Sequence, residues 1–228
     1  MSDVTPWSEV LELVRPATVE TLYMVLMSTL VGVVGGLPLG VWLHMTSHVG
    51  LTPKPLVHRV LGAVVDVTRS IPFVVLLVVV GSLTRLLMGQ AFGSSAAIVP
   101  LAIAAVPFFA RLTSNALREV DSAIVEAAVT TGAGKFRIVW TVLLSEARAA
   151  LVGAVGVTML ALIGYAAMAG AIAGGGLGAT AILDGYNAYD DRVLYVSVVL
   201  LGILAWGMQL LTDWVTKLVD RRRAATNV

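Results

Sequence analysis

Between Ala149 and Ala173 the chain carries no charged side chain, and four more apolar runs lie at about 21–43, 60–88, 96–110 and 193–219. A bilayer is crossed by roughly 20 apolar helical residues. The pattern predicts five transmembrane helices in an all-α integral membrane protein. Of the 228 residues 58% are apolar and the mean hydropathy is +0.91, whereas soluble domains are typically about half apolar. A net charge of +1 excludes nucleic acid as a partner, because phosphate binding needs a concentrated basic face. There is no cysteine, and so neither a disulfide nor a thiolate metal site.

The longest polar interruption, 111–148, separates the third and fourth runs and holds five of the fifteen basic residues. Within it Glu126, Ala127 and Ala128 are followed by three residues and Gly132. Phe136, Val139, Trp140 and Leu143 then recur at helical spacing. This predicts two short helices broken at Gly132-Ala133-Gly134, with Asp121 or Ser122 capping the first. Such a pair, held at the membrane surface, suits docking into a groove of a soluble partner.

At these residues the chain resembles the membrane permeases of ATP-binding-cassette (ABC) importers, whose EAA loop has the form EAA, three residues, glycine and a hydrophobic end closed by Leu-Pro. Glu126, Ala127, Ala128, Gly132, Val142 and Leu144 match, and Ser145 stands where the family usually has proline, which softens the end of the second helix. The resemblance implies that Glu126, Ala127, Ala128, Gly132 and Phe136 couple the chain to an ATPase.

Residues 1–20 place Trp7, Val10, Leu11 and Val14 at helical spacing among Asp3, Glu9, Glu12 and Glu20. They read as a short amphipathic external or interfacial segment, without the basic region or cleavage site of a signal peptide. The first span contains Ser28, Gly32, Gly36 and Gly40 at steps of four, a small-residue face that admits another helix closely, and Pro38, expected to kink it. His44, His48 and His58 occur with Lys54 and Arg59 in a basic loop. No carboxylate or cysteine joins the histidines, so no metal site is expected.

In the second span Asp66 and Arg69 share a helix face, where they could pair; snorkelling to the cytoplasmic interface is the simpler reading. Pro72 frees a backbone carbonyl one turn earlier. Pro100 and Pro107 suggest an irregular third span. Among ABC permeases, Arg69-Ser70-Ile71-Pro72-Phe73, Pro107-Phe108-Phe109-Ala110-Arg111 and Gly164-Tyr165-Ala166-Ala167-Met168 look like the methionine-importer subfamily. The run Gly174-Gly175-Gly176-Leu177-Gly178 also resembles osmoprotectant permeases.

Eleven of the fifteen Lys and Arg residues fall on one side of the five-span topology, including Lys217 and the basic tail 220–228, and three on the other, with Arg69 inside a span. The positive-inside rule then puts the amino terminus outside and the 111–148 loop and carboxy terminus in the cytoplasm, in the inner membrane of a prokaryote.

Gly132-Ala133-Gly134-Lys135 lacks the earlier glycine and the following Ser or Thr of a phosphate loop: Val129 and Phe136 occupy those places. No nucleophile, base and orienting acid recur together, so no enzyme activity and no cofactor are expected in this chain, and ATP and Mg²⁺ belong to a partner. The span centres appear uncharged, unlike the proton or sodium sites of gradient-driven transporters. That class is the alternative reading, as is an ABC permease for an osmoprotectant or another amino acid. The resemblance implies a homodimer in membrane lipid, an ABC ATPase dimer and a periplasmic or lipid-anchored methionine-binding protein. It also implies import of methionine, with D-methionine and analogues in range, by alternating access. Ser70, Phe73, Tyr165 and Met168 are the expected substrate path, a thioether being suited to flexible methionine and aromatic neighbours.

Overall fold

The computed structural model describes residues 5–172 and 174–220. Helices follow one another in the order α1 Trp7–Thr46, α2 Pro55–Ser70, α3 Phe73–Met88, α4 Ser94–Arg118, α5 Ser122–Thr130, α6 Lys135–Ile138, α7 Leu144–Glu146, α8 Arg148–Ala171, α9 Gly176–Ala179 and α10 Asp191–Val219. π-helical turns at Val139–Leu143 and Thr180–Tyr186 join α6 to α7 and follow α9, and no strand occurs among the described residues. The helices α1, α4, α8 and α10 are each long and apolar enough to cross a bilayer. The pair α2 and α3, bent by 104°, makes a fifth if counted as one broken span.

Residues 7–20 are not a separate surface helix: they are the first turns of α1, which runs unbroken through Pro16 and Pro38. The reason is burial, because Val10, Val14 and Ala17 pack with Leu177 and Val193. Thr5 and Asp190 tie the same end to α10. The Asp190 carboxylate accepts from the Thr5 backbone N–H at 3.2 Å and from the Thr5 hydroxyl, and caps α10 through the Arg192 and Val193 N–H groups. The Arg192 guanidinium stacks over the Trp7 ring at 5.2 Å.

The small-residue face of α1 meets α4. A methyl group at Gly32 would come within 2.7 Å of the Ala105 Cβ, one at Gly36 within 2.7 Å of the Val106 carbonyl oxygen, and one at Gly40 within 2.5 Å of the Ala110 carbonyl oxygen. In lipid, helix association depends on packing of this kind rather than on hydrophobic transfer. With that contact in place, Pro100 and Pro107 leave α4 helical from Ser94 to Arg118 instead of irregular. Met24 and Val25 of α1, Leu101 and Ala105 of α4, and Leu162 and Ala166 of α8 form the core.

The second apolar run breaks where its proline lies. Ile71 is extended, at φ −71° and ψ 125°, as the residue before proline prefers. The Pro72 carbonyl then accepts the Val75 and Leu76 N–H groups that open α3. The chain thus leaves α2 at Ile71 and starts α3 in a new direction, with Pro72 as its N-cap residue.

Gly40→Val, which drives a branched side chain into backbone, is expected to cost roughly 1–3 kcal/mol in thermal unfolding of the detergent-solubilised protein. Gly81→Ala, whose added methyl meets nothing within 4 Å and whose helix propensity is the higher, should not lower the midpoint. The Thr5 hydroxyl holds the Asp190 carboxyl below its ordinary 3.8, so the stability it contributes is present above that pH and is lost as pH falls through the lower folded value. The stability difference between the parent and Asp190→Asn should therefore shrink as pH falls from the ordinary 3.8 through the lower folded value, as read by unfolding midpoints.

Candidate functional site

Two regions bring the sequence-derived site residues together, one at the end of the bundle and one inside it. At the end, the Asp121 carboxylate accepts from the Ala123 N–H at 2.9 Å and caps α5, so Asp121 rather than Ser122 is the cap. The helix closes through Thr131 N–H to the Ala127 carbonyl, and the turn returns through Gly132 N–H to the Val129 carbonyl at 3.0 Å and Ala133 N–H to the Ala128 carbonyl at 3.3 Å. Gly132 has φ +78°, a conformation that costs glycine nothing; Gly134, at φ −65°, instead caps α6.

The following helix is anchored on one side. Val139 and Leu143 are buried with Ala116, Leu117 and Ala147, while Phe136 and Trp140, 6.0 Å apart between ring centroids, face outward at 78% and 56% exposure. None of the nine residues of α5 is buried. Glu126, Ala127 and Gly132 are exposed and Ala128 half-buried. A helix this short is marginal in water alone, and its apolar side chains Ile124 and Val129 remain uncovered. The expected softening at Ser145 takes a limited form: helix continues through it to Glu146 and is interrupted only at Ala147, before α8 begins at Arg148.

Inside the bundle, three strings separated in sequence converge. Phe73, the first residue of α3, stacks on Tyr165 of α8 with centroids 4.7 Å apart and planes within 4°. The Arg69 guanidinium, at the end of α2, lies 5.4 Å from the centroid of Phe108 in α4. The Asp66 carboxylate is 3.8 Å from Arg69 and 3.8 Å from Arg111. A narrow cleft follows, walled by Arg69, Phe73, Phe108 and Tyr165. Ser70 is not among the residues that line it; it is exposed, and its hydroxyl donates to the Val67 carbonyl. Met168 lies three residues beyond Tyr165 on α8 and is 48% exposed, on a face with Gly164, Val157 and Leu160 that this chain leaves uncovered.

Sequence reasoning assigned no role to Phe108 and Arg111, although the string that contains them had been singled out; their signal was an aromatic pair followed by arginine at the end of an apolar run. It also missed Glu20 and Thr21. The Glu20 carboxylate accepts from the Gly176 N–H at 2.7 Å and the Thr21 hydroxyl from the Leu177 N–H at 2.9 Å. Gly175 and Gly176 have φ of +78° and +72°. The glycine run is thus folded back against α1 by its own backbone donors. Among the described residues no group of three His, Asp or Glu side chains is placed to hold a metal ion.

The chain is 44% identical over 211 residues to a probable D-methionine transport system permease protein, MetI, of Vibrio cholerae, covering 92% of this chain and 94% of the relative. It is 42% identical to the methionine import system permease protein MetP of Bacillus subtilis, covering 90% and 93%. Its fold is similar to a chain of the MetNI methionine ABC transporter in an inward-facing conformation, with a TM-score of 0.91, 39% identity and coverage of 97% and 100%. Residues 36–225 match the family described as binding-protein-dependent transport system inner membrane component, and the chain belongs to that family.

Proposed function

We propose that this chain is the membrane-spanning permease subunit of an ABC importer that brings methionine, including the D-isomer, into the cytoplasm. The observation that carries the coupling is α5: an exposed nine-residue helix with Glu126 and Ala127 on its surface, seated on a buried wedge of Val139 and Leu143. The substrate rests on likeness to methionine permeases over nine-tenths of the chain.

In this reading two copies pair in the inner membrane, with α2 and α3 counted as one broken span. Their amino termini lie outside and the basic ends, with α5 to α7, in the cytoplasm. Each α5–α6 pair occupies a groove in one subunit of an ATPase dimer, where ATP and Mg²⁺ reside; this chain hydrolyses nothing itself. Nucleotide binds the closed and open ATPase dimers with different affinity, and that difference is the only free energy available to shift the permease between its two states. Val139 and Leu143 pack with Ala116 and Leu117 of α4 and with Leu151 of α8, so displacement of α5 is passed to the helices that wall the internal cleft. A separate binding protein delivers methionine outside, and the amino acid passes Ser70, Phe73, Tyr165 and Met168.

The test is uptake of labelled methionine by a methionine auxotroph that carries this permease with its ATPase and binding protein. Glu126→Lys should abolish uptake while the permease still dimerises, and unchanged uptake would take the loop out of the mechanism. A cysteine placed by Ala127→Cys should crosslink to the ATPase in isolated membranes, with a yield that changes when nucleotide is bound; a yield indifferent to nucleotide would separate docking from work.

A further inference from the structure

We propose that Asp66, Arg69 and Arg111 form a station inside the membrane part of the chain that takes the α-carboxylate of the passing amino acid. The inference rests on the import reading above and names how the substrate is recognised. The starting observation is an imbalance: one carboxylate faces two guanidiniums, each at 3.8 Å. That separation exceeds the roughly 2.7–2.9 Å of a charge-assisted hydrogen bond. Asp66 therefore holds both arginines in place by attraction without filling the donor fork of either, and the cluster keeps one positive charge in surplus.

Asp66 is tied to two helices at once, with Arg69 one turn on in α2 and Arg111 in α4, so its place is set by the cluster and not by one side chain reaching for the interface. Charged groups within spanning segments are costly and collect where a solute passes. All three side chains stay accessible, Arg69 at 33%, Arg111 at 32% and Asp66 at 50% exposure, on surface that this chain itself does not cover.

Beside the cluster the chain is aromatic. Phe73, Phe108 and Tyr165 wall a cleft of about 20 Å³, room for a water and not for a side chain, so these residues place only the carboxylate end of a solute. A planar guanidinium beside it offers the two parallel donors that a carboxylate accepts. Arg69 is already held over the Phe108 ring, which lowers the entropy lost when it captures a ligand. The Ile71–Pro72 break sets these parts in one place: with α3 turned by 104° from α2, the end of one helix presents the charge and the start of the next presents the ring.

The assembled complex of this chain with its ATPase, in liposomes supplied with the binding protein, decides the matter through initial rates of labelled methionine uptake. Arg69→Gln and Arg111→Gln should each lower uptake roughly tenfold to a hundredfold, the range for losing a hydrogen bond to a charged group, while the complex still assembles. Arg69→Lys and Arg111→Lys keep the attraction to Asp66 but lose the planar fork, and should assemble and raise KM. Asp66→Asn removes the clip between α2 and α4 but leaves both guanidiniums, so a purely structural clip would lose uptake as the glutamine variants do, whereas a carboxylate station keeps its donors and its positive charge and still imports. Uptake in Asp66→Asn as low as in the glutamine variants with the complex assembled, or parental KM in both lysine variants, overturns the proposal. Failure of the parent complex to import methionine would instead overturn the import reading on which it rests.

Discussion

Everything else in the structure depends on how closely α1 and α4 approach. Lipid offers no hydrophobic drive to bring two apolar helices together, so attraction must come from atoms in contact over a long seam. Gly32, Gly36 and Gly40 provide that seam by removing side chains where Ala105, Val106 and Ala110 lie. Ser28, one turn earlier, is fully buried. Because the seam runs down α1, Met24 and Val25 meet Leu101, Leu162 and Ala166 in one core. The end of the bundle nearest the start of α1 is closed by Glu20 and Thr21 on the glycine run.

A second constraint acts on α2 and α3. Proline in a membrane helix leaves backbone groups that hydrocarbon cannot satisfy, and the chain resolves this by ending one helix at Ser70 and starting another at Phe73. The change of direction delivers Arg69 to Phe108 and Phe73 to Tyr165. Backbone chemistry at Pro72 thereby decides which side chains meet between α2, α3, α4 and α8.

The helices α5 to α7 show the opposite economy. α6 and the π turn after it are held by buried Ile138, Val139 and Leu143, whereas α5 buries none of its residues and rests on its Asp121 cap, the Gly132 turn and the partly buried Val125. Firm anchoring behind a bare helix suits a part that receives force from one body and transmits it to another.

The sequence by itself determined that the chain is apolar and helical, that Ser28, Gly32, Gly36 and Gly40 form one face, that Asp66 and Arg69 share another, and that a turn falls at Gly132. These are consequences of composition, of helical period and of glycine's backbone freedom, all local to a few residues. Only the tertiary structure decided that the small face belongs to α4, that residues 7–20 join α1 by packing on Leu177 and Val193, and that Pro100 and Pro107 leave α4 unbroken. It also brought Arg111 to Asp66 across 45 positions of sequence. A helix's period tells which residues lie on its face, but which helix that face meets is settled by the competition of all the faces at once.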